Sequence, residues 1–75
     1  MRITYDPEVD ALYIRFKTGT SNTEHWAEGV AADFDADGHL VGIEILDASK
    51  RVGDPKAVKQ VSFEEFPMPA TRRRD

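Results

Sequence analysis

The chain has 75 residues, 32% of them charged, a formal net charge of -4 and no cysteine. That length allows one domain, and a domain so small is marginal without a disulfide, a metal or a partner subunit. Disulfides and thiolate zinc sites are excluded, which leaves dimerisation as the expected support and points to a reducing compartment.

The charge is unevenly spread. Residues 1–49 carry three basic residues against ten acids, and residues 50–75 carry seven basic residues against four acids. The acidic body argues against general binding to a nucleic-acid backbone. The basic end, closing in Arg72-Arg73-Arg74, is read as a solvated tail over 67–75, with RNA or an acidic partner as its other use. No segment approaches the ~20 apolar residues of a membrane span, and the N-terminus lacks the regions of a signal peptide, so a cytoplasmic protein is expected.

Residues 2–5 alternate in polarity and read as a strand; Asp6-Pro7 makes a turn, with Pro presetting the backbone angle. Residues 11–17 form the second strand, with Leu12, Ile14 and Phe16 on one face and Tyr13, Arg15 and Lys17 on the other. Residues 18–23 are small and polar, a loop. A strand begins within 24–28, and residues 30–35 and 40–46 are the clearest strands. The Asp37-Gly38 pair between them predicts a two-residue hairpin turn. That turn opposes Phe34 to Val41, Ala32 to Ile43 and Val30 to Ile45, all apolar, whereas a one-residue slip would send Val41, Ile43 and Ile45 to the wrong face. The opposite face then carries Asp33, Asp35, Leu40, Gly42, Glu44 and Leu46.

Helical structure is expected next. Residues 47–51 read as a helix start ended by Gly53, and Asp54-Pro55 as a second start giving one or two turns through residue 60. Val61, Phe63 and Phe66 are read as a last short strand or as a cover over the sheet. The fold class is α+β: an antiparallel sheet of four or five strands, two consecutive hairpins and a short C-terminal helix, in one compact domain over residues 1–66.

Residues 33–44, D-F-D-A-D-G-H-L-V-G-I-E, match the signature positions of an EF-hand calcium loop at Asp33, Asp35, Asp37, Gly38 and Glu44. Calcium takes about six to eight hard oxygens, which clustered carboxylates supply. The flanks, however, are strands rather than helices, and Asp33 and Glu44 fall as diagonal neighbours at roughly 7–8 Å. An acidic, solvated turn is the plainer reading, and an ion held by Asp33, Asp35, Asp37 and Glu44 is the alternative.

The remaining candidates are plain. His25 and His39 lack zinc-ligand spacing. Ser49 has no base or oxyanion site and reads as a helix-start residue whose hydroxyl caps backbone N–H groups. Asp6 and Asp10 flank a surface turn. Glu44 lies mid-strand between Ile43 and Ile45, where it needs solvent or a partner such as Arg15 or Lys50. Tyr13, Leu40, Glu44 and Leu46 make a candidate interface on the second face. No enzyme activity and no cofactor is expected.

Three segments, Y-D-P-E-V-D-A-L-Y-I-R-F at 5–16, D-F-D-A-D-G-H-L-V-G-I-E-I-L at 33–46 and D-A-S-K at 47–50, resemble the small bacterial domain-of-unknown-function family 2283. The resemblance spans roughly residues 1–52 and implies a compact antiparallel sheet with a short C-terminal helix, with no catalytic residues to carry over. Some such proteins look like the partner half of toxin–antitoxin gene pairs. That implies a binding module that masks another protein; together with the size and the apolar second face, the expectation is a non-enzymatic interaction module, homodimeric, with a small toxin as a further partner.

Overall fold

Alternating polarity and tight turns drive a single sheet. In the computed structural model, which describes residues 1–67, five strands form: β1 (Arg2–Asp6), β2 (Ala11–Arg15), β3 (Asn22–Ala27), β4 (Val30–Phe34) and β5 (Leu40–Leu46). They are followed by α1 (Ala48–Val52) and a 3₁₀ turn, η1 (Ala57–Lys59). All pairings are antiparallel and the order is β1-β2-β5-β4-β3. The α+β class, the small sheet and the C-terminal helix are as expected from the sequence; the fifth strand comes from residues 22–27, which turn into β4 at Gly29, and not from residues 61–66. β3 begins at Asn22, inside the stretch expected to be a loop.

The register gathers the apolar residues. One rank across four strands is Ile3, Ile14, Ile43 and Ala32; the next is Tyr5, Leu12, Ile45 and Val30. Cross-strand neighbours share a face, so these ranks form one apolar surface. The expected oppositions of Ala32 to Ile43 and of Val30 to Ile45 hold.

The expected opposition of Phe34 to Val41 does not. Phe34 pairs with Leu40, and the register shifts between Phe34 and Asp33, which faces Gly42, leaving Val41 as the extra residue of a bulge. The turn is correspondingly longer than two residues. The Gly38 N–H donates to the Asp35 carbonyl at 3.0 Å, and the Asp35 N–H to the His39 carbonyl at 2.8 Å. This encloses a three-residue loop, Ala36-Asp37-Gly38, with Gly38 at φ 85° in the left-handed position such loops require. Side-chain chemistry selects it: one oxygen of Asp35 accepts the backbone N–H groups of Asp37 at 2.9 Å and His39 at 2.8 Å.

Past β5, Asp47 turns the chain in the left-handed region and Gly53 closes α1. Asp54 and Pro55 give one 3₁₀ turn rather than an α-helix, with Asp54 Oδ1 accepting the Lys56 N–H at 2.9 Å. The helix packs chiefly on η1, burying Ala48 and Val58.

The core is thin. Among the described residues the buried apolar ones are Ala31, Ala32, Val41, Ala48 and Val58, of which Val41, 1% exposed, is the one large side chain fully enclosed. Val61, Phe63 and Phe66 form neither a strand nor a cover over the sheet: residues 60–67 are irregular and exposed. Most of the basic tail expected over 67–75 lies outside the described residues.

Candidate functional site

The apolar face is the first candidate. Ile3, Tyr5, Leu12, Ile14, Val30, Phe34, Ile43 and Ile45 all remain only partly buried. The Phe34 ring is met by Trp26 of the edge strand at a centroid distance of 6.4 Å, and Trp26 is itself 53% exposed. The surface is preformed by sheet register and is half-buried: Ala32 within it is fully enclosed, while the larger side chains keep part of their area in solvent.

The opposite face is polar and internally bonded. Tyr13 lies over Gly42, where a Cβ would stand 2.5 Å from the Tyr13 hydroxyl and 2.7 Å from the Ile14 carbonyl. That gap lets the Tyr13 hydroxyl reach past β5 and donate to Asp33 Oδ2 at 2.7 Å. Thr23 donates to Asp33 Oδ1 at 2.6 Å. The hydroxyls of Thr23 and Tyr13 hold the Asp33 carboxyl below the usual carboxylate range, and the Asp33 carboxylate in turn raises Tyr13, so the phenol stays protonated at neutral pH.

The candidate interface is split by this arrangement. Tyr13, Glu44 and Leu46 share the polar face, but the bulge places Leu40 on the side that carries Phe34. Glu44 is exposed and, among the described residues, forms no ion pair with Arg15 or Lys50. The Arg15 guanidinium instead lies 5.7 Å from the centre of the Tyr13 ring.

The acidic residues of the central hairpin disperse in the same way. Asp35, Asp37 and His39 come within 4.8 Å of one another. Asp33 is engaged with Tyr13 and Thr23, and Glu44 sits diagonally from it, since Asp33 faces Gly42 while Glu44 faces Ala31. Asp35 is itself occupied: one oxygen takes the two turn N–H groups and the other takes the Lys17 ammonium. Lys17, then the backbone N–H groups, bring its pKa down to about 2. His39 Nδ1 lies 3.7 Å from Asp35 Oδ2. His25 is far from His39 in register, facing Ala31 on the polar face of edge strand β3.

Sequence reasoning placed Asp10 on a surface loop and missed its role. Asp10 adopts φ 56° at the entry to β2, and its carboxylate accepts the Tyr5 hydroxyl at 2.6 Å, the Ser49 N–H at 3.0 Å and the Ser49 hydroxyl at 2.9 Å. Its carbonyl accepts the Ala48 N–H at 3.0 Å. These donors, Tyr5 first, lower the Asp10 pKa, and Asp10 raises that of Tyr5. Asp10 therefore caps α1 from a distance of 39 residues, and Ser49 does not cap with its own hydroxyl as expected but donates it to Asp10.

These Asp-centred contacts fall within the segment matched by the family model described as "Protein of unknown function (DUF2283)", which covers residues 2–49. The chain belongs to the DUF2283 family. No match was found among curated proteins or among solved structures. The matched segment of this DUF2283 chain comprises all five strands and ends at Ser49, the residue that Asp10 clamps; most of α1, η1 and the exposed residues beyond lie outside it.

Proposed function

We propose that this chain is a non-enzymatic interaction module that works as a homodimer through its apolar sheet face. The observation that carries this reading is the face itself: two ranks of aliphatic and aromatic residues across four strands, none of the large ones buried. A standard interface removes about 800 Å² per partner, which a face of this kind can supply. The polar candidates support the same reading, since Ser49, Asp10, Asp33 and Asp35 are all engaged in holding backbone or neighbouring side chains. A chain without cysteine suits the reducing cytoplasm.

Gel filtration with light scattering tests this. The expected mass is twice 8.4 kDa, and a mass that stays at one chain across the accessible concentration range sinks the proposal. An antitoxin-like role would use the same face for a small protein partner, and such a partner would then dissociate the dimer on binding.

A second reading, a divalent ion at the acidic turn, rests on the convergence of Asp35, Asp37 and His39. Calorimetric titration with Ca²⁺ decides it: absence of heat at millimolar ion removes the reading.

A further inference from the structure

The exposed arm after η1 and a cleft at the far end of the sheet are chemically matched. The arm runs Val61-Ser62-Phe63-Glu64-Glu65-Phe66; Val61, Phe63 and Phe66 are 62%, 78% and 80% exposed. So much aromatic surface in water on a short segment is a contact surface without its contact. The cleft is an open cavity of about 300 Å³ lined by Met1, Arg2, Arg15, Phe16, Lys17 and Thr18. It offers two apolar side chains and three cations to an arm that offers two phenylalanines flanking two carboxylates.

The cations are arranged at a cost. Arg2 and Arg15 are direct cross-strand partners, and like charges placed opposite one another destabilise a sheet. Lys17 is neutralised by Asp35, which leaves the arginine pair for an acidic occupant. Two carboxylates entering the cleft would turn this repulsion into charge-assisted hydrogen bonds.

Placement then favours a second copy. β5 passes into α1 at one end of the sheet, and η1, which precedes the arm, packs on α1; the cleft lies at the opposite end, where β1 starts and β2 stops. Within its own chain the arm lies exposed and off the sheet. A two-fold axis laying two sheets antiparallel would point each arm toward the end of the other sheet that carries the cleft; Arg2 and Arg15 lie on the polar side of that end, so the arm would wrap over it to reach them, closing the pair reciprocally.

We propose that the Phe63–Phe66 segment of one copy seats in the Met1–Thr18 cleft of the other, with Glu64 and Glu65 meeting Arg2 and Arg15. The inference rests on the homodimer reading above and adds the arm as its clasp.

Charge exchange in the full chain tests it. The double variant Glu64→Lys/Glu65→Lys should weaken dimerisation by about tenfold or more, as should Arg2→Glu/Arg15→Glu. The chain carrying all four substitutions should recover dimerisation, which unfolding of either double variant could not produce. A second measurement identifies the donor chain. The protein has no cysteine, so a nitroxide on Ser62→Cys is unique. In a mixed sample, an unlabelled spin-bearing chain should broaden the amides of Arg15, Phe16 and Lys17 in an isotope-labelled chain without a spin. A dimeric wild type whose affinity ignores Glu64→Lys/Glu65→Lys, or an isotope-labelled chain whose Arg15, Phe16 and Lys17 amides stay sharp in the mixed dimer, overturns the clasp and leaves the homodimer standing. A strictly monomeric wild type overturns the homodimer, and the clasp with it.

Discussion

The Tyr13 hydroxyl donates to Asp33 Oδ2 at 2.7 Å from two strands away, across a position where β5 carries only Gly42. A side chain at 42 would meet both the phenol and the Ile14 carbonyl, and the backbone contact cannot swing aside. Gly42→Ala is therefore expected to cost about 1–3 kcal/mol through overpacking. Removing the hydroxyl alone, in Tyr13→Phe, should cost about 1 kcal/mol. Urea unfolding monitored by Trp26 fluorescence measures both, and a Gly42→Ala variant as stable as the parent would contradict the account of the gap.

Acid should expose the carboxylate network. Asp10, Asp33 and Asp35 all titrate below the ordinary value of 3.8, Asp35 at about 2 under the influence of Lys17 and the turn N–H groups. A depressed folded pKa means stability that is fully present above the unfolded value and is lost as pH falls through the folded one. The denaturation midpoint should thus stay level down to the ordinary carboxylate range and drop between there and about pH 2. Lys17→Met should shift the Asp35 titration upward, read by carboxyl-carbon NMR. A parent Asp35 midpoint at or above the ordinary value would rule out the contacts assigned to it.

Arg51 ties three segments together. Its Nε donates to the Leu46 carbonyl at 2.7 Å, and a terminal nitrogen donates to the Glu28 carbonyl at the β3–β4 turn. A lysine has no fork with which to reach both carbonyls. Arg51→Lys should therefore lower stability by about 1 kcal/mol and speed exchange of the Leu46 amide, which is bonded to the Gly29 carbonyl. Unchanged exchange at Leu46 would show that the guanidinium does not hold this corner.

The central loop needs its glycine at φ 85°. Gly38→Ala should cost about 1–2 kcal/mol from the left-handed strain alone. Gly38→Asn should recover most of it, because asparagine tolerates that region. Thermal melts of the two variants give the comparison; equal losses would point to a contact rather than to backbone conformation.

How far the sequence was legible follows from what each element depends on. Alternation reported the apolar ranks, so Ile43 opposite Ala32 and Ile45 opposite Val30 could be read in advance. The end of the same hairpin could not, because a side chain decides it: Asp35 binds the N–H groups of Asp37 and His39 and draws the turn to three residues, and the bulge at Val41 restores the register beyond. The Asp-Gly rule weighs only the two central residues. Asp10 was opaque for a related reason, since its partners Tyr5 and Ser49 come from strand and helix and meet only when the sheet is closed. The helix stop at Gly53 was local and was legible. The arm beyond Lys59 misled because its apolar residues suggest burial, while burial within the chain depends on a surface lying within reach.

The order β1-β2-β5-β4-β3 places the last strand in the middle. β1–β2 and β3–β4 can pair as they emerge during synthesis, but each then presents an unpaired inner edge until residues 40–46 arrive to bridge them. Joining Ala11 to Leu46 closes a long loop, so assembly of the sheet should be late and all-or-none. A nascent or clipped chain lacking β5 would consist of two sticky hairpins, the state in which strand edges recruit one another and aggregate. The central strand thus sets a kinetic checkpoint: until residues 40–46 dock, both inner strand edges stay unpaired, and their pairing is satisfied in one step.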